Sequence, residues 1–390
     1  MKITSISCVG LQGATPPGGW TSELQPNDVV HTLVAVHTDD GLTGVGSAYT
    51  SSDLVRAAVD VLEPLWLGES AVEPERVSES LHQNTFWLGR GGTLTHAVSA
   101  IDIALWDILG QATGQPVGRL LGGRYRDRVR PYASVLMAEP ERTSDRIAAL
   151  KDAGFRAFKI GWGGFGRRGR RYDEAVVAAA REAVGEVVPL MVDAGGSDAF
   201  WPHGYKWALR TAAMLADYDV GWFEEPLPPD ALTEYVHLRR NSHVPISGGE
   251  VLTRRQSFSP WLDAGGLDIV QPDTTKVGGL SEARRIGWHA AETGAKLVPH
   301  GWNTAVGLAA DLQLASALAT TDLVEYMTGS AYIDDIVGRP WALDADGMLK
   351  IPDTPGLGIE LDLDAVGRLS ADEPFVSARS VSGARAPGVA

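Results

Sequence analysis

The alternation of apolar and polar positions divides the chain near residue 129. Ahead of that point, residues 1–12 and 29–37 alternate with the period of strands, and a Gly/Pro-rich loop at 13–20 separates them. Asp39-Asp40-Gly41 signals a tight turn into a return strand at 44–48. Three helical patterns follow at 52–65, 73–86 and 94–109, the third placing Ala97, Ile101, Ala104, Leu105 and Ile108 on one face. Strands first and helices after predict an α+β unit. Beyond 129, short apolar strands at 131–135, 157–160, 190–193, 220–224, 244–247, 267–271, 296–299 and 323–326 alternate with amphipathic helices. Such repeats predict a parallel barrel rather than an open doubly wound sheet, because no glycine-rich phosphate turn follows the first strand. After 337 the pattern gives way to turns, and the Ser/Ala/Gly-rich end is expected to be mobile.

Composition narrows the class without choosing a function. A chain of 390 residues accommodates a barrel of about 200 to 250 residues plus a second unit. An apolar fraction of 44% and a charged fraction of 21% are those of a globular protein. No apolar run reaches the ~18 residues of a membrane span, and residues 1–12 do not read as a signal peptide, so a cytoplasmic location is expected. The single cysteine, Cys8, excludes an internal disulfide framework and a cysteine metal cluster. A net charge of −15 argues against nucleic acid and anionic membranes as partners, but not against a small anion met inside a pocket.

Candidate chemistry emerges at the strand ends. Lys159, Asp193, Glu224, Glu250, Asp273, His300 and Glu325 each stand at or just past the end of a predicted strand. Their successive spacings, by subtraction, are 34, 31, 26, 23, 27 and 25 residues, about one strand–helix module each. A barrel gathers such ends on one face. Three carboxylates converging there, Asp193, Glu224 and Glu250, would repel one another unless a cation neutralised them. All-oxygen ligation selects Mg²⁺, with Mn²⁺ or Ca²⁺ as alternatives. Asp273 beside His300 predicts a carboxylate–imidazole pair, which fixes the tautomer and raises the basicity of a general base. Glu325 is expected to act as a neutral acid, if neighbouring carboxylates raise its pKa.

These residues resemble the enolase superfamily and, within it, the mandelate racemase-like subgroup of acid-sugar dehydratases. The resemblance spans nearly the whole chain. It rests on Phe158-Lys159-Ile160, Val192-Asp193-Ala194, Trp222-Phe223-Glu224-Glu225-Pro226, Gly248-Gly249-Glu250, Gln271-Pro272-Asp273 with Gly278-Gly279, Pro299-His300-Gly301 and Glu325. It implies an α/β fold, a (β/α)7β TIM-like barrel, under an α+β capping domain built from the N-terminal region and the C-terminal tail. The corresponding divisions are 1–125, 126–338 and 339–390. It also implies one Mg²⁺ per subunit on Asp193, Glu224 and Glu250, a His300–Asp273 dyad as base, Glu325 as electrophilic acid, and a homo-oligomer. An Asp at 273, where the muconate cycloisomerase-like subgroup places a lysine, favours this subgroup, and Lys276 nearby is then read as structural.

Two departures shape the functional expectation. The family's racemases carry Lys-x-Lys on the second strand, whereas this chain reads Lys159-Ile160-Gly161, so the second lysine is missing at Gly161 and Lys159 is left to orient the substrate carboxylate or tune the site. With one strong base, dehydration of an aldonic or aldaric acid to a 2-keto-3-deoxy acid is expected, ahead of lactone cycloisomerisation, one-base epimerisation or a non-catalytic sugar-acid-binding barrel. Gly195-Gly196 after Asp193 stands where an amide is usual. Substrate contacts are therefore sought at His203, Tyr205, Trp162, Trp302, Asn303, Trp20 and Tyr49. An arginine run at Arg167, Arg168, Arg170 and Arg171 could attract a dianion, although such runs are more often solvated.

Overall fold

The computed structural model describes residues 1–12, 31–198 and 200–370. Strands β1 (Ile3–Leu11), β2 (His31–Thr38) and β3 (Thr43–Ala48) form an antiparallel sheet in that order. Three helices pack on it: α1 (Ser52–Trp66), α2 (Pro74–Asn84) and α3 (Thr93–Thr113). Their apolar faces and the inner face of the sheet share one core, with Val34, Val36, Val55, Leu62, Leu81, Ala97, Ile101 and Leu105 all buried. The helix expected over 94–109 runs on to Thr113 and stops at Gly114, which takes the left-handed conformation that closes helices. The helix expected to reach 86 ends at Asn84, and Phe86–Leu88 form a 3₁₀ turn. The loop at 13–20, the first residues of the strand expected from 29, and the C-terminal tail lie outside the described residues.

After a short α4 (Val117–Leu120), strand and helix alternate: β4 (Arg128–Leu136), α5 (Pro140–Asp152), β5 (Phe158–Gly161), α6 (Arg170–Val184), β6 (Leu190–Asp193) and α7 (Tyr205–Asp217). The series continues with β7 (Phe223–Glu224), α8 (Leu232–Asn241), β8 (Ile246–Gly248), α9 (Arg254–Ala264), β9 (Ile269–Val270), α10 (Gly279–Thr293), β10 (Lys296–Leu297), α11 (Ala305–Ala317) and β11 (Leu323–Met327). The strands pair in parallel from β4 through β10, and β11 returns to pair with β4, giving the (β/α)7β order. Between β10 and β11 the seam is bridged by Thr321 Oγ1 donating to Leu297 O at 2.8 Å and by Gly301 N–H donating to Glu325 Oε2 at 2.8 Å. Several ladders are shorter than the apolar runs that predict them. Pro245 and Pro299 carry no N–H to donate, and the continuous strands there begin at Ile246 and end at Leu297, with Asp273 and His300 paired again beyond as an isolated bridge. Tyr132, Ala157, Met191, Trp222, Ile269 and Val298 form a separate apolar cluster.

The cap is fastened to the barrel by polar contacts as well as packing. Gly278 N–H donates to Ser99 Oγ, Trp106 Nε1 to Ser281 Oγ and Thr304 Oγ1 to Ser47 Oγ, all within 3.0 Å. Past β11 come α12 (Ala331–Asp334), β12 (Leu349–Lys350), which pairs antiparallel with β4, and α13 (Leu363–Leu369). That last helix was not expected in a turn-rich stretch. Its signal is Asp362, whose side chain caps the Ala365 N–H. Ser370 then bridges to Leu11 of the cap sheet.

Candidate active site

The carboxyl ends of the barrel strands open into a cavity of ≈ 240 Å³ walled by Lys159, Asp193, Glu250, His300 and Glu325, with Tyr49 reaching in from the cap. The register explains the convergence, since Gly161, Asp193, Glu224 and Ser247 are successive partners across β5 to β8 and so share one level of the barrel. Asp193, Glu224 and Glu250 are buried and offer one carboxylate oxygen each, all within 4.8 Å of one another. Burial, then the charge of Glu224 and Glu250, holds the Asp193 carboxyl well above its usual range. Glu225, next along and also buried, is pushed up to about 8 by burial and by Glu250. A set of hard oxygen donors that cannot all be ionised together fits a dication.

Neighbours aim these carboxylates. Trp222 Nε1 and Gln271 Nε2 donate to Glu224 Oε2 at 2.9 and 2.8 Å, and Lys159 Nζ lies 2.6 Å from Glu224 Oε1. Asp193 Oδ1 accepts from Gly195 N–H at 2.7 Å, and its Oδ2 accepts from Trp162 Nε1 at 3.1 Å. Trp162 holds φ at +61°, a left-handed conformation rare for a bulky residue. It does so against Gly195, where a Cβ would stand 2.9 Å from the indole. The departure from an amide after Asp193 is thereby accounted for: the indole fills that space and supplies the N–H.

His300 faces Glu250 with Nε2 at 3.1 Å and Asp273 with Nδ1 at 2.7 Å. Burial opposes the charged ring, but Glu250, Glu325 and the Asp273 hydrogen bond outweigh it and carry His300 to about 9. Both oxygens of Asp273 are engaged, Oδ2 by His300 and Oδ1 by the Thr275 N–H and Oγ1 at 2.7 and 2.6 Å.

Glu325 has a surrounding other than the carboxylate-rich one expected to keep it neutral. Burial does push it toward the neutral form, but Lys159 Nζ at 3.0 Å, His300 and the Gly301 N–H prevail and bring it down to about 2, an ionised carboxylate. Lys159 in turn is kept cationic, its burial opposed by Glu224 and Glu325. The vacancy read at Gly161 also has a different meaning. A Cβ there would sit 2.7 Å from the Asp193 Cβ, so the position admits no side chain beside the triad and Lys159 is the lysine of this strand that reaches the cavity.

Of the expected substrate contacts, Tyr49, Trp162 and Trp302 line the cavity, and the Trp302 indole N–H is buried without a partner among the described residues. Three others do not line it. His203 is stacked on Trp207 and bonded to Gly166 O; Tyr205 opens α7 with its ring against His237; Asn303 is buried with its amide on Asp311. Trp20 lies outside the described residues. The arginine run is partly neutralised: Arg167 pairs with Asp198 at 2.8 Å, and Arg168 pairs with Glu139 and covers the Tyr172 ring. Missed by sequence reading were Ser134, Asp198, Val251 and, above all, Lys276, which lines the cavity rather than serving only as framework. Its only signal was its place three residues after Asp273.

A family profile described as "Enolase C-terminal domain-like" matches residues 142–365, and one described as "Mandelate racemase / muconate lactonizing enzyme, N-terminal domain" matches 24–122. A D-galactarolactone cycloisomerase of Agrobacterium fabrum is 33% identical over 96% of this chain and 100% of its own. A D-xylonate dehydratase of Haloferax volcanii is 30% identical over 90% of each chain. The crystal structure of the 3,6-anhydro-D-galactonate cycloisomerase from Zobellia galactanivorans superposes with a TM-score of 0.85 at 31% identity, covering 95% of this chain and 100% of that one.

Proposed function

Because the chain belongs to the mandelate racemase/muconate lactonizing enzyme family of the enolase superfamily, we propose that it dehydrates an aldonic or aldaric acid to the 2-keto-3-deoxy acid. The observation that carries this reading is the His300 ring, braced by Asp273 on Nδ1 and presenting Nε2 beside the triad residue Glu250. Asp193, Glu224 and Glu250 would hold Mg²⁺, which when bound supplies Lewis-acid stabilisation of the negative charge that grows on the substrate carboxylate. His300 Nε2 takes the proton α to that carboxylate. The electron pair left behind expels the β-hydroxyl, which departs as water with the proton returned by the imidazolium, and the resulting enol tautomerises to the ketone. The Glu250 charge that raises His300 would be engaged by the cation, and Asp273 fixes the tautomer of the neutral ring in which Nε2 is the acceptor. Glu325 holds the Lys159 ammonium and the Gly301 amide in place rather than donating a proton.

A second reading shares the first step: in a sugar-acid lactone or anhydro acid, the ring oxygen leaves in place of water. The named cycloisomerases among the relatives favour it. One experiment separates the two. Mono- and diacid sugars, their lactones and anhydro acids are incubated with the protein and Mg²⁺, 2-keto product is scored, and exchange of the α-proton is followed by NMR in D₂O. Keto product from open-chain acids supports dehydration, product from cyclic substrates alone supports cycloisomerisation, and absence of both product and α-exchange across the panel rejects enolisation.

A further inference from the structure

Lys276 lies in the loop between β9 and α10, is 6% exposed, and contributes to the cavity wall. Its ammonium makes no hydrogen bond among the described residues. Its ionic neighbour is Asp273 Oδ2 at 3.8 Å, beyond hydrogen-bond reach and already accepting from His300. On the cap side it meets the face of Tyr49, with the ring centroid 4.3 Å away. Among the described residues, the other groups packed behind that ring are imidazoles and bring no negative charge. His31 packs edge-on against Tyr49 and Tyr332, and burial pushes it down to about 3. His96 donates its Nδ1–H to Tyr49 O and is lowered to about 4, first by burial and then by Lys276 itself. Asp273 is thus shared by His300, which also faces Glu250, and by Lys276, which among the described residues has no other carboxylate.

A buried ammonium with three unspent donors is costly, and a sugar hydroxyl would satisfy its hydrogen bonds without supplying the missing charge. A carboxylate supplies both. The position adds the second half of the case. His300 turns one ring nitrogen toward the triad through Glu250 and the other toward Asp273, against which Lys276 lies, so two anion-seeking points flank the base. We propose that Lys276 binds a second carboxylate of the substrate, making this a site for dicarboxylic sugar acids or their monolactones, with Tyr49 as the wall that holds the lysine in place. This rests on the function proposed above and narrows it from sugar acids in general to diacids.

The test uses matched pairs that differ only in oxidation of the terminal carbon: galactarate with galactonate, glucarate with gluconate, xylarate with xylonate. With Mg²⁺ present, the wild-type protein is expected to favour the diacid of at least one pair by about tenfold or more in kcat/KM. Lys276→Met and the more nearly isosteric Lys276→Gln are expected to cut kcat/KM for that diacid by about 10²-fold, as loss of one partner of a buried charge pair does. The loss should fall mainly on KM, with a smaller effect on the monoacid, and Lys276→Arg should restore part of the preference. The same pairs are titrated by thermal shift in a His300→Asn background, which reads binding without turnover. The inference is overturned if no pair shows a diacid preference, or if both neutral variants weaken the two members of a pair by the same factor. A wild-type protein that turns over nothing in the panel yet is stabilised by a diacid through Lys276 would reject the elimination chemistry and leave this inference standing.

Discussion

At the triad, each neighbouring donor has an assigned acceptor: Trp222, Gln271 and Lys159 hold Glu224, while Trp162 and the Gly195 amide hold Asp193. At Lys276 the opposite holds, for among the described residues the buried ammonium has Asp273, at 3.8 Å, and the face of a tyrosine. The first arrangement fixes carboxylates before any ligand arrives. The second leaves donors to be satisfied by one. Preorganisation suits a resident ion whose ligand geometry must not drift, and unspent donors suit a substrate that comes and goes. His300 stands between the two, touching Glu250 on one side and Asp273 on the other.

The largest effect is expected where both ends meet. His300→Asn should lower kcat by about 10²–10⁴-fold, the usual contribution of a positioned general base. It should leave Mg²⁺ binding in place, because His300 is not one of the three converging carboxylates. Formation of 2-keto acid together with calorimetric Mg²⁺ titration checks both halves. Retention of full turnover would remove His300 from the mechanism and with it the division of the cavity into two ends.

Next comes the triad itself. Without a cation, burial and the charges of Glu224 and Glu250 favour the neutral acid at Asp193, so the comparison of Asp193→Asn with wild type is made within each protein, with and without the ion. With Mg²⁺ at 100 times its dissociation constant, the wild-type protein should gain about 2.7 kcal/mol of unfolding free energy. Asp193→Asn should lose most of that gain. Urea unfolding with Mg²⁺ and with a chelator measures it, and an equal gain in the variant would show that the ion is held elsewhere.

The contrast between the two ends also marks what the chain discloses before folding. Strand-end carboxylates were legible because a β/α repeat sends each strand terminus to the same face, so spacing alone brings Asp193, Glu224, Glu250 and His300 together. The passage from a strand-then-helix region to alternating strands and helices was legible in the change of hydrophobic period near 129. Side chains in loops were not. His203 and Tyr205 follow the triad strand closely in sequence, yet aromatic packing against Trp207 and His237 turns them away. Lys276 was taken as framework because Asp273 stands where the related subgroup places its lysine, and its place in the cavity wall against Tyr49 is set by contacts between distant parts of the chain. The surroundings of Glu325 were legible only in part: its neighbours on the wall include a lysine, and a count of nearby acids alone misses that.

A smaller effect sharpens how the triad end is preorganised. Trp162→Phe keeps the ring over Gly195 and removes the N–H that Asp193 Oδ2 accepts. Loss of such an outer hydrogen bond to a ligand costs about 10–100-fold in metal affinity. Gly195→Ala should act in the same direction by another route, since its φ of +65° disfavours a side chain and the new Cβ would press on the indole. Mg²⁺ titration of both variants tests the pair. If Trp162→Phe binds Mg²⁺ as tightly as wild type, the indole is packing only, and the strain at its φ of +61° needs another reason.

The smallest effect is expected at the arginine run, and it bears on whether Lys276 acts alone at its end of the cavity. Arg168 is about half exposed, as is its partner Glu139, and its guanidinium covers the Tyr172 ring at 4.1 Å. Exposed pairs of this kind are screened by water and salt and hold little stability. Arg168→Ala should therefore leave the melting temperature nearly unmoved and kcat/KM for a diacid within about twofold of wild type. Arg167 differs, because its partner Asp198 is buried in the cavity wall; Arg167→Ala should raise KM by uncovering that carboxylate rather than by losing a binding cation. Added salt separates the cases. Long-range attraction by the run would make wild-type KM rise with ionic strength and Arg168→Ala less sensitive to it, whereas a neutralised loop gives the same salt dependence in both, leaving Lys276 as the cation that selects the diacid.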